Sequence, residues 1–280
     1  YLAILIAILS TGCSSGNGGG GDPQNNNYTV SGNSGKGSVI AGKIEFFDKN
    51  NLSIGSTEVF GEDGSYNISD LKYVGIIKAV LTIKEYHDEI LNKSITIDNL
   101  KLSAISYIEK TNNTINITPL TDVAVSILGN NALTQTKEKI QSINEYVAKA
   151  VGITNDNYNP AKGLIKFTNK DDGILENTSS NRHSFALLAI SNDSNLSDNE
   201  SDENRKTKVE ASINKFYKAL VEASNNKTKL ENIIENTTNI TTRIKDINNS
   251  DLIEHSKDIE IAQEHIKDTA VGSYIKILHY

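Results

Sequence analysis

The hydrophobic pattern of this 280-residue chain changes its period once, near Thr118, and this change limits the possible folds. Between residues 28 and 117, short runs alternate apolar and polar side chains, as in Ile44 and Phe46 with charged residues beside them. After Thr118, apolar residues recur at helical spacing. We therefore predict an α+β chain: an all-β sandwich domain, residues 28–117, followed by a mainly α-helical domain, residues 118–280.

The predicted sandwich consists of short strands separated by turn residues. A first strand covers residues 38–48, and the later strands are 56–60, 65–69, 76–84, 94–97, 102–108 and 114–117. Turn signals between them include Asp63-Gly64 and Ile97-Asp98-Asn99. Strands at a spacing of roughly ten residues are typical of a β-sandwich.

Two segments of this region, residues 42–48 and 55–68, resemble the carboxypeptidase regulatory-like (transthyretin-like) sandwich. The second segment contains Gly61-Glu62-Asp63-Gly64-Ser65-Tyr66, which is similar to the T-D-A-D-G-S-Y hairpin of that family. The resemblance implies an Ig/transthyretin-like sandwich with a tight turn at Asp63-Gly64, after which Tyr66 and Ile68 point into the core. It implies little about activity, because sandwiches of this kind serve unrelated proteins as spacers or binding modules.

The helical region begins with a clear start signal. Thr118 is a predicted N-cap, Pro119 suits the first helical position, and Gly129 ends the helix. The segment 116–121 also resembles the T-P-L-T junction of bacterial surface lipoproteins, where a regulatory-like sandwich passes into a helical region. Further helices are predicted at 133–151, 185–190, 209–220, 230–247 and 259–270, with loops at 155–180 and 191–204.

The first fifteen residues have the pattern of a secretion signal. The apolar run 2–9 spans about 12 Å as a helix, against about 30 Å of membrane hydrocarbon, and small residues follow it. Ser10-Thr11-Gly12-Cys13 resembles the lipobox of bacterial lipoproteins. The resemblance implies cleavage between Gly12 and Cys13 and lipidation of Cys13 by acyl chains such as palmitate. Residues 1–12 are then a signal peptide truncated at its start, and 13–27 are the lipidated Cys and a flexible Gly/Asn linker.

Composition limits the class of partner. The net charge of −7 argues against nucleic acid, whose phosphates are bound by clustered Lys and Arg. Cys13 is the one cysteine, so the chain has no partner for an internal disulfide. The expected partners are the membrane, reached through the N-terminal lipid, and an envelope protein or glycan. Ser14 and Ser15 provide no acidic retention signal, which favours the outer membrane, with the protein on its periplasmic or surface face.

Motifs for catalysis or metal binding are poor, and we predict no catalytic residue and no cofactor. Residues 32–37 lack the features of a phosphate loop or a nucleophile elbow, and we interpret them as a flexible loop between strands. The oxygens of Asp193, Asn195 and Ser197 have calcium-loop spacing, but the segment lacks the sixth-position Gly and the closing Glu. We interpret it as a solvated acidic loop, and His183 as a capping or packing residue.

The leading functional hypothesis is a non-enzymatic, membrane-anchored lipoprotein of the cell envelope with a binding or structural role. One alternative is a lipid-anchored hydrolase or sugar-processing enzyme that uses residues such as Asp171, Asp172 and His183. Another is a substrate-binding component whose ligand lies between the two domains. A concave pocket with carboxylates of raised pKa favours the enzyme, and a flat surface favours an adhesion or scaffold role.

Overall fold

The computed structural model describes residues 27–59, 62–88, 91–151, 153, 158–165 and 179–223, which form a mixed α+β structure with two β-sheets. The strands are β1 (Tyr28–Asn33), β2 (Val39–Phe47), β3 (Ser53–Glu58), β4 (Ser65–Leu71), β5 (Gly75–Asp88), β6 (Lys93–Ile108) and β7 (Asn112–Thr114). The helices are α1 (Pro119–Leu128), α2 (Lys137–Ala150), α3 (Ser179–Ser194) and α4 (Asp202–Ala223), with a 3₁₀ turn at Gly129–Thr134. The predicted signal, linker and helices at 230–247 and 259–270 lie outside the described residues.

The two sheets have the strand orders β3-β2-β5-β6 and β4-β1-β7. Neighbouring strands are antiparallel except β1 and β7, which are parallel. The predicted hairpin at Asp63-Gly64 is therefore wrong, because β3 and β4 belong to different sheets. The turn does need glycine: Gly64 has φ +69°, and an added Cβ would lie 2.2 Å from the Ser34 carbonyl oxygen. As expected, Tyr66 is buried, while Ile68 is partly buried against the core.

The predicted turn at Ile97-Asp98-Asn99 is also wrong, because β6 runs through it as one long strand. Ile83 pairs with Leu100 and Glu85 with Thr96, so one residue of β5 lies opposite three residues of β6, which forms a bulge between these two points. Asn99 has φ +49°, a left-handed conformation that asparagine tolerates. The turn residues thus absorb an irregularity in the pairing of β5 with β6 and do not end the strand.

Helix α1 begins as the sequence predicts. The Thr118 hydroxyl accepts a hydrogen bond from the Thr121 amide, and the Thr121 hydroxyl accepts one from the Thr118 amide, which forms a capping box. Gly129 is the C-cap with φ +64°. The predicted helix 133–151 is shorter than expected, since a 3₁₀ turn precedes α2.

Helices α3 and α4 are longer than the predicted segments 185–190 and 209–220. Part of the predicted loop 191–204 is helical, because α3 continues to Ser194 and α4 starts at Asp202. The apolar stripe of α4 is confirmed: Val209, Ile213 and Leu220 are buried, and Phe216 is partly buried against the core.

One hydrophobic cluster connects the sheets with the helices. It includes Val30 and Phe46 from the two sheets, Leu102 from β6, and Val123 and Leu220 from the helices, all at most 1% exposed. Helices α1, α2 and α4 each contact β6. The helices therefore cover apolar side chains of β6, and the sheets and helices share this core.

Candidate functional site

The residues singled out from the sequence fall into three groups. Gly12, Cys13, Asp171 and Asp172 lie outside the described residues. Asp193 lies in the last turn of α3, and Asn195 and Ser197 lie in the loop after it. His183 lies in α3 and is fully buried.

The acidic segment makes bonds within the protein. The Asn195 carbonyl oxygen accepts a hydrogen bond from Lys208 Nζ, and Ser197 Oγ donates to Glu200. Asn195 and Ser197 are both exposed. Within the part of the chain that the structure describes, no group of three or more His, Cys, Asp or Glu side chains is placed to hold a metal ion.

His183 lies between two hydroxyl groups. Its Nε2 is 3.2 Å from Thr118 Oγ1 and its Nδ1 is 2.9 Å from the Tyr158 hydroxyl. Burial lowers the pKa of His183 from 6.5 to about 3, so the imidazole is neutral at physiological pH. The ring links the N-cap of α1 to the segment 158–165, in agreement with the predicted packing or capping role.

That segment forms one wall of a cavity of about 250 Å³ beside β6 and α2. Asn116 holds the segment in place: its backbone amide donates to the Ala161 carbonyl at 2.7 Å, and its side-chain amide donates to the Gly163 carbonyl at 2.5 Å. The lining residues are Ser106, Tyr107, Lys137, Ile140, Gln141, Tyr158, Asn159, Lys162 and Gly163. The cavity thus lies where residues of the predicted sandwich meet residues of the predicted helical region.

The cavity has a cationic wall. Lys137 bonds to Glu109, which raises the pKa of Lys137, and its ammonium is 5.4 Å from the centre of the Tyr107 ring. The pKa of Lys162 is lowered, first by loss of surrounding water and then by the charges of Lys137 and Lys110, against the opposing effect of Glu109. The two charged residues that line the cavity are both lysines.

A second polar cluster, formed by Lys36, Tyr86 and Asp88, is buried at the end of β5. Lys36 Nζ is 2.9 Å from Asp88 Oδ2 and 3.1 Å from the Tyr86 hydroxyl, and that hydroxyl is 3.2 Å from the same carboxylate oxygen. The ammonium is also 4.8 Å from the centre of the Tyr86 ring. The interpretation of residues 32–37 as a flexible loop is wrong, because Ser34 and Lys36 are fully buried and fixed by hydrogen bonds.

The electrostatics of this cluster favour an ion pair. Burial opposes the charge on Lys36, but the Asp88 carboxylate and the Tyr86 hydroxyl outweigh it and raise the pKa of Lys36. Burial also opposes the charge on Asp88, yet the Lys36 ammonium and the Leu91 amide lower the pKa of Asp88 below its usual range. Sequence reasoning missed the cluster because a single lysine in a glycine-rich segment shows no sign of burial.

No protein-family model, curated protein or solved structure matches the chain. The resemblances to the regulatory-like sandwich and to the lipobox therefore stay predictions. Over the described residues, none of the helices has the length and apolar character needed to cross a membrane.

Proposed function

We propose that the protein is a non-enzymatic lipoprotein of the bacterial cell envelope, anchored through Cys13, which binds a small anionic ligand in the cavity beside β6 and α2. The observation that supports ligand binding is the cationic wall of this cavity. The lipobox-like sequence before Cys13 and the Gly/Asn-rich residues after it support the anchor and its tether.

The local charge of the cavity contrasts with that of the whole chain. Lys110, Lys137 and Lys162 lie around Glu109, and Glu138 is the second carboxylate near Lys137. The cations outnumber the carboxylates here, in a chain whose net charge is −7. A local excess of positive charge attracts anions and disfavours cations.

The size and chemistry of the cavity favour a small ligand with hydrogen-bonding groups. Its volume of about 250 Å³ is below the roughly 300–1,000 Å³ typical of sites for drug-sized ligands, and suits a single acidic sugar or a phosphate group. Gln141 and Asn159 provide amide groups, and Tyr107 provides an aromatic ring. An acidic envelope glycan combines these features in one ligand.

The cavity favours binding over hydrolysis. A hydrolytic site of the kind considered from the sequence needs carboxylates and a titratable base within reach of substrate. Asp122 has a carboxyl whose pKa is raised by burial, but it accepts bonds from the Ser103 amide and hydroxyl and does not line the cavity. His183 has both ring nitrogens in contact with protein hydroxyls.

Binding can be measured by calorimetry with three probes: glucuronate, inorganic phosphate and neutral glucose. We expect glucuronate to bind more tightly than glucose, and Lys162→Gln to weaken glucuronate binding. Lys139→Gln is the matched control, because Lys139 is an exposed lysine of α2 that does not line the cavity. Equal affinity for glucuronate and glucose, or equal effects of the two substitutions, would contradict anion binding in this cavity.

Anchoring is tested separately by Cys13→Ser. One acyl chain gives marginal membrane binding and each buried methylene adds about 0.8 kcal/mol, so two or three chains make release negligible. The unaltered protein should fractionate with membranes in high salt, and the variant should be soluble or unprocessed. Retention of the variant in the membrane fraction would refute the lipoprotein assignment without affecting the proposed cavity.

A further inference from the structure

The buried cluster of Lys36, Tyr86 and Asp88 has no part in the proposed ligand binding. Lys36 lies between β1 and β2, and Asp88 is the last residue of β5, 52 positions later in the sequence. Their side chains are 0% and 1% exposed, and Tyr86 is also fully buried. An amine and a carboxyl group are therefore held in direct contact in an interior that excludes water.

We propose that Lys36 and Asp88 form an intramolecular isopeptide bond between Lys36 Nζ and Asp88 Cγ, which links the β1–β2 segment covalently to the end of β5. The site is a self-modification site, and the cluster itself supplies every reacting group.

The reaction is a condensation that balances without an oxidant or other co-reactant. A proton first passes from the Lys36 ammonium to Asp88 Oδ2 along their 2.9 Å hydrogen bond. This transfer is uphill, because the two groups favour their charged forms, and the minor species it produces contains the reactive neutral amine and neutral acid. The nitrogen lone pair then attacks Cγ and forms the C–N bond. The nitrogen loses a second proton to Oδ2, the Cγ–Oδ2 bond breaks, and one water molecule leaves.

The neighbouring groups suit this step. The Tyr86 hydroxyl lies between Nζ and Oδ2, at 3.1 Å and 3.2 Å, where it can accept the second proton from nitrogen while it donates its own to the leaving oxygen. The Leu91 amide donates to Asp88 Oδ1 at 3.0 Å. Negative charge develops on Oδ1 when Cγ becomes tetrahedral, and a fixed N–H donor stabilises such an oxyanion.

Burial favours the amide over the ion pair. Two charges in a water-excluded interior have a large desolvation penalty, and the amide removes both of them. Fixed contact also replaces a bimolecular encounter, and well-oriented groups react as if at about 10⁵–10⁸ M. The bond closes a loop of the chain, as a disulfide does in other proteins. This sequence has a single cysteine, so it cannot close such a loop with an internal disulfide.

Intact mass spectrometry of the full chain tests the proposal, with Cys13→Ser as the background so that lipid does not alter the mass. After folding and then denaturation, the protein should be lighter than its sequence by one water. Protease digestion should release one branched peptide that joins the segments around Lys36 and Asp88. The full sequence mass, with no branched peptide, would overturn the proposal.

Variants distinguish this bond from other losses of water. Lys36→Met and Asp88→Ala should retain the full mass, whereas Asp88→Asn, which keeps an electrophilic carbon, should be lighter by one ammonia. Tyr86→Phe removes the bridging hydroxyl and should slow bond formation about 100-fold or more. Loss of water in Lys36→Met equal to that of the unaltered chain would overturn the proposal. The mass of the unaltered chain decides the matter even where a variant does not fold.

Discussion

Acid should destabilise the protein through His183, whose neutral imidazole is buried between Thr118 and Tyr158. Both ring neighbours are uncharged hydroxyls, so neither compensates a positive charge on the ring. Burial lowers the pKa of His183 to about 3 in the folded state, against 6.5 in the unfolded chain. The unfolded state therefore binds the proton more tightly than the folded state.

The sign and size of the effect follow from this difference in pKa. Between pH 6.5 and about 3 the unfolded state holds more protons, so the free energy of unfolding falls as pH falls through this window. Each pH unit is worth about 1.4 kcal/mol, which gives a loss of about 2 kcal/mol at about pH 5. That is a substantial share of the roughly 5–15 kcal/mol that stabilises a typical domain.

Urea unfolding followed by circular dichroism at about pH 7.5 and about pH 5 measures this loss. His183→Gln keeps hydrogen-bonding atoms at the site but does not titrate, so its free energy of unfolding should fall by about 2 kcal/mol less than that of the unaltered protein. An identical pH dependence in His183→Gln and the unaltered protein would refute the reasoning.

Three further substitutions, two of them paired with a control substitution, test the packing by urea unfolding. Gly64→Ala should lower the free energy of unfolding by about 1–3 kcal/mol, and Gly129→Ala should lower it by less. Both glycines have positive φ, but a Cβ at Gly64 would meet backbone, whereas one at Gly129 meets nothing within 4 Å. Equal losses would contradict the close approach at Gly64. Leu220→Ala should lower the free energy of unfolding by about 2–5 kcal/mol, because Leu220 is fully buried. Lys218→Ala, on the exposed side of α4, should lower it by less than about 0.5 kcal/mol. Similar losses would mean that the buried face of α4 is misassigned. Thr118→Ala removes the cap of α1 and should cost at least about 0.5–2 kcal/mol; no change would contradict its capping role.

Local features of the fold were predictable from the sequence. The start of α1 at Thr118 and its end at Gly129 were correct, because capping uses groups within a few residues of one another. The stripe of α4 was correct because helical spacing alone places its apolar side chains on one face. The predicted turn at Ile97-Asp98-Asn99 failed, since turn residues also suit a bulge, and pairing with β5 decided between the two.

The candidate sites were much less predictable. His183 was correctly interpreted as a packing or capping residue, but its partners Thr118 and Tyr158 are 65 and 25 positions away in the sequence. The cavity is formed by β6, α2 and the segment 158–165, and none of these has a ligand-binding motif of its own. Lys36 was assigned to a flexible loop, although it is fully buried.

The sequence by itself determined the period of the hydrophobic pattern, the cap of α1, the single cysteine and the net charge, because each is a property of neighbouring residues or of composition. Tertiary structure decided which sheet β4 joins, what lines the cavity, and which groups surround Lys36, Asp88 and His183. The physical reason is that burial and Coulomb energy depend on distance and solvent exclusion in space. Lys36 and Asp88, 52 positions apart in the sequence, are brought into contact at 2.9 Å in an interior closed to water.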